Sequence, residues 1–327
     1  MAKNKTMVPA WDASVHFVES KQNPTPQAAD SSVGMLKARD GALLRNAVFV
    51  PENPRGTVVL MTGYSEFIEK YFETISDLLA LGYAVVMPEW RGHGLSDGLG
   101  AEPTRLHLTD FPLNVRDLED RWPRLMADMP RPFFGLAHSM GGHISLRAAH
   151  DHPDWFDALA QSAPMHGIAL PGPVRALLGL VTFVYRLFGK GDSWNPFVPP
   201  HERPGVAEEN RVTNDFDRFN RGETLYVTEP HLQVNGGSLD WLRAAFMSMK
   251  QAAQPAYLRA IETPLYIGTA EEELLVDNAA HAHALAHLPN GDGKLYRQAK
   301  HELLMEKDAT RQAFLADVEA FYQKAST

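Results

Sequence analysis

Phe133-Phe134-Gly135-Leu136-Ala137-His138-Ser139-Met140-Gly141-Gly142 is the stretch on which the fold turns. An apolar run reaches a serine, small residues follow at once, and a helical pattern then runs from Gly141 to His150. A strand that bends sharply into a helix at a serine is the setting of an exposed nucleophile. The serine backbone is strained in such a turn, so the residues two positions away must be small. Gly141 satisfies this on one side, and on the other Ala137 stands where the G-x-S-x-G pattern has glycine. A helix starting directly after Ser139 also aims its first backbone N–H groups, and the positive end of its dipole, at the reaction centre. The competing reading is a serine that only caps the next helix.

Around this turn, short apolar runs alternate with segments of helical length. The runs are Thr57–Met61, Ala84–Pro88, Phe133–Ala137, Ala158–Ser162, Leu265–Thr269 and Leu295–Gln298; the helices include Tyr71–Leu81, Leu113–Met126 and Gly141–His150. Continuous apolar strands separated by helices predict an α/β fold, a mostly parallel central sheet with helices on both faces. Ahead of it, Met35–Arg39 and Leu43–Val50 flank Asp40-Gly41 and read as a hairpin. The polar residues 1–34 read as an N-terminal extension. The alternation breaks between about Met165 and Ser238, a stretch with Pro171, Pro173, Pro196, Pro199, Pro200 and Pro204 and the polar run Glu208–Arg221. It is too long for a plain loop, so residues 165–238 read as a cap inserted between core segments 35–164 and 239–327. Such a cap covers the carboxyl edge of the sheet, where open α/β sheets hold their ligands.

Two loops frame the serine. Thr62-Gly63-Tyr64 follows the strand Thr57–Met61, and a loop there supplies one backbone N–H to an oxyanion hole, the second coming from the residue after the nucleophile. Those donors are Tyr64 and Met140. Arg91-Gly92-His93-Gly94 follows the next strand and reads as a structural turn, with Arg91 bracing its neighbours. Toward the C-terminus, Leu265–Thr269 runs into Glu271, Glu272, Glu273 and Asp277, four carboxylates of which one should orient a histidine. His301 lies just past Leu295–Gln298. The chain order is then serine, acid, histidine.

Composition narrows the function. With 327 residues, 44% hydrophobic and 22% charged, the chain has the make-up of a globular α/β domain carrying an insertion. A net charge of −9 argues against general affinity for nucleic acid. The absence of cysteine excludes a thiol nucleophile, disulfides and cysteine-bound zinc. His281, His283 and His287 fit an exposed helix better than a metal site, and no nucleotide-binding motif is present, so neither metal nor cofactor is expected. Met1 to Glu19 lacks a secretory apolar run and no segment is apolar enough to span a bilayer. The expected setting is cytoplasmic, with contact at the inner face of a membrane left open through the cap.

Taken together, Thr62-Gly63-Tyr64, Arg91-Gly92-His93-Gly94, His138-Ser139-Met140-Gly141-Gly142, Glu271–Asn278 and His301-Glu302 resemble the lysophospholipase and monoacylglycerol lipase group of α/β hydrolases. The resemblance runs from about Met35 to the C-terminus and is weakest in the cap. It implies an α/β-hydrolase fold, a Ser139–His301 pair, and Glu273 as the acid, four positions before the aspartate of Val276-Asp277. Members often carry aspartate there and His-Gly in the oxyanion loop, where this chain has Glu273 and Thr62-Gly63. The implied substrate is a lipid ester with one long acyl chain and a polar head. Leu177, Leu178, Val181, Phe183, Val184, Leu187 and Phe188 in the cap could cover such a chain, and Arg175 and Arg186 could meet a phosphate. Two rivals stand beside this expectation: an esterase or thioesterase for small soluble acyl substrates, and a catalytically silent binding protein. An acyl-length series separates the first, and labelling by a fluorophosphonate the second.

Overall fold

The computed structural model describes residues 7–196, 200 and 210–326; Pro199, Pro204 and the first two residues of the polar run at 208–221 lie outside them. The described chain forms strands β1 (Ala13–Ser14), β2 (Asp30–Lys37), β3 (Leu43–Val50) and β4 (Thr57–Met61), helix α1 (Phe72–Ala80), β5 (Ala84–Pro88), the short β6 (Arg105–Leu106), α2 (Leu113–Met126), β7 (Phe133–His138), α3 (Met140–Asp151) and β8 (Ala158–Ser162). There follow α4 (Gly172–Leu187), α5 (Phe216–Thr228), the short β9 (Gly236–Gly237), α6 (Leu239–Ala252), α7 (Pro255–Arg259), β10 (Leu265–Ala270), α8 (Asn278–Leu285), β11 (Gly291–Tyr296) and α9 (Asp308–Ala325).

Nine strands make one sheet in the order β1-β2-β3-β5-β4-β7-β8-β10-β11. The pairs from β5 to β11 are parallel, while β1, β2 and β3 join antiparallel at one edge. All of β4, β5, β7 and β8 is buried on both faces, which is why their sequences read as unbroken apolar runs. Ile75 and Leu78 of α1 pack with Phe314 and Val318 of α9 on one face. Leu118 of α2, Ile144 of α3 and Ala245 of α6 pack on the other.

Two boundaries differ from expectation. The sheet begins well before residue 35: β1 pairs with Gly34 and Met35, and β2 starts at Asp30. The polar stretch is held by a few anchors, Trp11 against Gly34, Phe17 stacked on Phe49 and Asn23 donating to Glu69 O, with no apolar pattern of its own. The last strand is Gly291–Tyr296 rather than Leu295–Gln298. Gln298 turns into the positive-φ region, which ends the strand, and the edge position leaves most of β11 exposed.

Between β8 and α6 the chain leaves the sheet. Helix α4 packs on the body along a narrow edge formed by Leu178 and Thr182, one turn apart. Helix α5 is tied down by Arg218, which donates to Glu73, Asp215 and Asp308. Arg186 of α4 pairs with Asp240 of α6, and Arg175 lies over the ring of Phe246.

Candidate active site

The loops at the carboxyl ends of β4, β7, β10 and β11 converge on one point. At the end of β7 the backbone of Ser139 takes φ +49° and ψ −113°, a conformation rarely adopted by a non-glycine residue. The turn is held from several sides: Ser139 N donates to Ser162 O at 3.0 Å, and Met165 N donates to Ser139 O at 2.8 Å. A Cβ on Gly141 would lie 2.4 Å from Thr62 O, and one on Gly142 2.6 Å from Pro164 Cβ, so positions 141 and 142 call for glycine. Ala137 is accommodated inside the sheet opposite Met61 and Gln161.

His301 approaches from the last loop. Its Nε2 is 2.9 Å from Ser139 Oγ and its Nδ1 is 2.7 Å from Glu273 Oε2. The other oxygen of Glu273 accepts the backbone N–H groups of Leu275 and Val276, at 2.8 and 3.2 Å. Burial opposes ionisation of Glu273, but the hydrogen bond and charge of His301 and these two amides outweigh it and hold the carboxyl below its usual range. The neighbouring acids have other partners. Glu271 pairs with Arg297 and accepts from Gln298 N; Asp277 accepts from Ala279 N and caps α8; Glu272 is exposed.

The loop after β4 lies against the serine. Gly63 is in close contact there, since a Cβ would sit 2.9 Å from His138 Cδ2 and 3.2 Å from Ser139 Cβ. Tyr64 follows directly, its ring packed 4.7 Å from that of Trp241. Met140 opens α3, where a backbone N–H has no acceptor within the helix. A cavity of about 850 Å³ opens beside these groups, lined by Tyr64, Ser139, His301, Trp241, Leu242 and Leu275 among others. A second cavity of about 730 Å³ lies between α4 and α6 and shares Leu242.

Other residues singled out in the sequence have structural partners. Arg91 grips Asp117 at 2.7 and 2.8 Å and reaches Asp40, joining the β5 loop to α2 and the hairpin. His93 is buried with Nδ1 against Arg91 O, and burial lowers its pKa to about 4. His281 engages Thr269 and Pro164 O with its two nitrogens, whereas the rings of His283 and His287 lie 4.5 Å apart at a tilt of 43°. The apolar residues of α4 differ from expectation: Leu178 turns inward, but Leu177, Val184, Leu187 and Phe188 face outward. The buried edge of α4 is formed by Leu178 together with the polar Thr182.

A buried charged cluster beneath the site was not anticipated. Glu66 accepts hydrogen bonds from Gly63 N and from Tyr71 Oη, the latter at 2.6 Å. Lys70 Nζ lies 2.7 Å from Glu66 Oε1 and 2.8 Å from Glu302 Oε1. The sequence signal was an acid–base pair four residues apart after β4, which resembles any surface helix pair. His138 is the neighbour of this cluster, and burial lowers its pKa to about 4 despite the attraction of Glu66. Glu66, His138 and Glu302 are close enough to share a metal ion, but the ammonium of Lys70 sits between the two carboxylates.

Comparison with known proteins bears on the family of the chain. A family model described as "Serine aminopeptidase, S33" matches residues 52–308. Lysophospholipase L2 of Escherichia coli K12 is 33% identical over 286 residues, covering 82% of this chain and 80% of the relative. A monoacylglycerol lipase of Mycolicibacterium smegmatis is 26% identical over 266 residues, covering 80% of this chain and 86% of the relative. Among solved structures, a soluble variant of monoglyceride lipase from Saccharomyces cerevisiae, in complex with a substrate analog, superposes with a TM-score of 0.70 at 19% identity. That match covers 91% of this chain and 98% of the other.

Proposed function

Because the chain belongs to the serine aminopeptidase S33 family of α/β hydrolases and is a carboxylic ester hydrolase, we propose that Ser139, His301 and Glu273 cleave long-chain monoacyl lipid esters through an acyl-enzyme. The observation that carries the assignment is the unbroken line from Ser139 Oγ through His301 to Glu273, with links of 2.9 and 2.7 Å. With Glu273 ionised, His301 donates its Nδ1 proton to the carboxylate and presents the Nε2 lone pair to the serine hydroxyl. Ser139 Oγ adds to the ester carbonyl as its proton passes to Nε2. The backbone N–H groups of Tyr64 and Met140 take the charge on the carbonyl oxygen, and loss of one such donor costs about 100-fold or more in rate. His301 then returns the proton to the departing alcohol. Water attacks the acyl-Ser139 by the same exchange in reverse.

The substrate class follows from the family's lysophospholipase and monoacylglycerol lipase members and from the site itself. The cavity beside Ser139 has an apolar wall, Trp241, Leu242 and Leu275, suited to an acyl chain, and polar groups at Asn195, Asn210 and Arg211 suited to a hydrated head. The described residues of the 165–238 stretch, Trp194, Phe216, Phe219 and Tyr226 among them, serve as a cap over this cavity. No helix among the described residues is long and apolar enough to cross a membrane. The outward face of α4, Leu177, Leu180, Val184, Leu187 and Phe188, instead rests in the bilayer surface from which a single-chain lipid is drawn.

Initial rates on p-nitrophenyl esters from two to sixteen carbons, with lysophosphatidylcholine and monoacylglycerol alongside, test the reading. Preference for eight carbons or more, with acyl release from at least one of the two lipids, is expected. Preference for two to four carbons with neither lipid cleaved would transfer the chain to the small-ester hydrolases.

A further inference from the structure

The buried cluster below the oxyanion loop links two loops of the site. Glu66 holds the loop from within: its carboxylate accepts the N–H of Gly63, the residue before the proposed donor Tyr64. Glu302 is the residue after His301, so its position follows the position of the base. Lys70 Nζ contacts both carboxylates, with its side chain only 11% exposed. One ammonium therefore connects the segment carrying an oxyanion donor to the segment carrying the base, although they are more than 230 residues apart in sequence.

A cation taken out of water costs several kcal/mol unless it is closely paired. Lys70 meets this with two carboxylates, and Tyr71 Oη and Gly63 N complete the shell of Glu66. Glu302 is less fully served. One of its oxygens, Oε2, is buried without a partner, and burial raises its carboxyl above the usual range. Lys70 is thus the contact that keeps Glu302 turned inward, and with it the backbone that presents His301.

Resting on the proposed roles of Ser139, His301 and Tyr64, we infer that Lys70 is a positioning residue that holds the oxyanion loop and the base loop in mutual register through Glu66 and Glu302. Lys70 lies at the wall of the cavity beside Ser139, but in this scheme it makes and breaks no bond. A register error between the donor and the base is felt when the tetrahedral intermediate forms, not when substrate binds, so the effect falls on kcat and spares KM.

The test uses the full chain with Lys70→Met, Lys70→Arg and Glu302→Gln, a p-nitrophenyl ester of medium chain length, and thermal melting of each variant. Lys70→Met is expected to lower kcat by about 10- to 100-fold with KM changed by no more than about twofold, as a misplacement of catalytic groups does. Lys70→Arg, which retains the charge and can still span both carboxylates, should recover most of the loss. Glu302→Gln keeps the shape and one acceptor and should show the same kcat-only loss, smaller in size. If Lys70→Met does not fold, Glu302→Gln and Lys70→Arg decide alone. Wild-type kcat in Glu302→Gln, or a loss that follows the melting temperature and is not relieved in Lys70→Arg, overturns the inference. Ser139→Ala run in parallel keeps the two claims apart: activity surviving there defeats the assignment of the site, not of Lys70.

Discussion

The sheet and helix α4 are both rich in Leu, Val and Phe, yet they bury them in opposite ways. Val58, Leu60, Val85, Val86 and Leu136 in the central strands are completely buried. On α4, Phe183 is 60% exposed and Leu187 68%, and Phe188 at its C-cap 75%, while the residue turned inward beside Leu178 is a threonine. The strands are enclosed by helices of the same chain. The helix presents apolar area that the described residues do not cover, a pattern that marks a surface for another phase or partner. The same composition therefore serves a core in one region and, on our reading, a lipid surface in the other.

The largest expected effect lies within the sheet's loops. Glu273→Gln should lower kcat by about 10⁴-fold, as when a triad carboxylate is neutralised, because the His301 tautomer is no longer fixed. Glu271→Gln and Glu272→Gln should remain within a few-fold of wild type in the same assay. A damaging Glu271→Gln with a mild Glu273→Gln would move the acid two residues upstream.

Next, α4 can be tested without touching the core. Removing two exposed large apolar side chains, as in Leu187→Ser with Phe188→Ser, should weaken partition onto phosphatidylcholine vesicles by about 10-fold or more, given ~1.5–3 kcal/mol for each side chain fully transferred. Melting temperature and the hydrolysis of a soluble short ester should stay unchanged. Loss of folding stability in this double variant would show that the face packs on protein, and the comparison would fail.

A smaller effect separates two helical glycines. Gly141→Ala places a methyl 2.4 Å from Thr62 O and 2.6 Å from Met61 O, against backbone that cannot move aside, and should destabilise by about 1–3 kcal/mol in denaturant unfolding. Gly179→Ala on α4 meets nothing within 4 Å and should stabilise by up to about 1 kcal/mol through helix propensity. Equal effects at the two sites would mean that α4 is packed as tightly as α3.

The smallest and most diffuse effect is that of pH. Burial lowers the pKa of His93 and His138 to about 4 and that of His143 to about 3. The folded chain keeps these rings neutral, whereas the unfolded chain protonates them near pH ~6.5. Between those values the unfolded state binds more protons, so stability falls as pH falls from ~6.5 toward 4 and is unaffected by these groups above that window. Melting curves at pH 7.5, 6.0 and 5.0 check the sign. His143→Gln should flatten the decline, and a curve that rises toward acid would contradict it.

Much of this was legible in the sequence, for physical reasons that differ by region. Strands β4, β5, β7 and β8 announced themselves because both faces are buried, and the turn at Ser139 because only small residues fit beside Thr62 O and Pro164. Strand β11 was misplaced because Gly291-Asp292-Gly293 pairs through backbone alone; a side chain at Gly293 would lie 2.7 Å from Ile267 O. The short β1 and the first half of β2 were missed because Trp11 and Phe17 dock singly, without a repeat, whereas the hairpin of β2 with β3 was legible. Among the four carboxylates after β10, only the family resemblance singled out Glu273; its closed shell of two backbone amides and His301 is the physical feature that sets it apart. Nor could the sequence announce that Lys70 reaches Glu302, since the contact joins chain segments that only the sheet brings together.

The most direct test of the account is intact-mass and peptide analysis after reaction with a fluorophosphonate. The account predicts one adduct per chain, mapped to the peptide containing Ser139, absent in Ser139→Ala and formed far more slowly in His301→Ala. A wild-type protein that takes up no phosphonate, or an adduct that persists unchanged in Ser139→Ala, would contradict it.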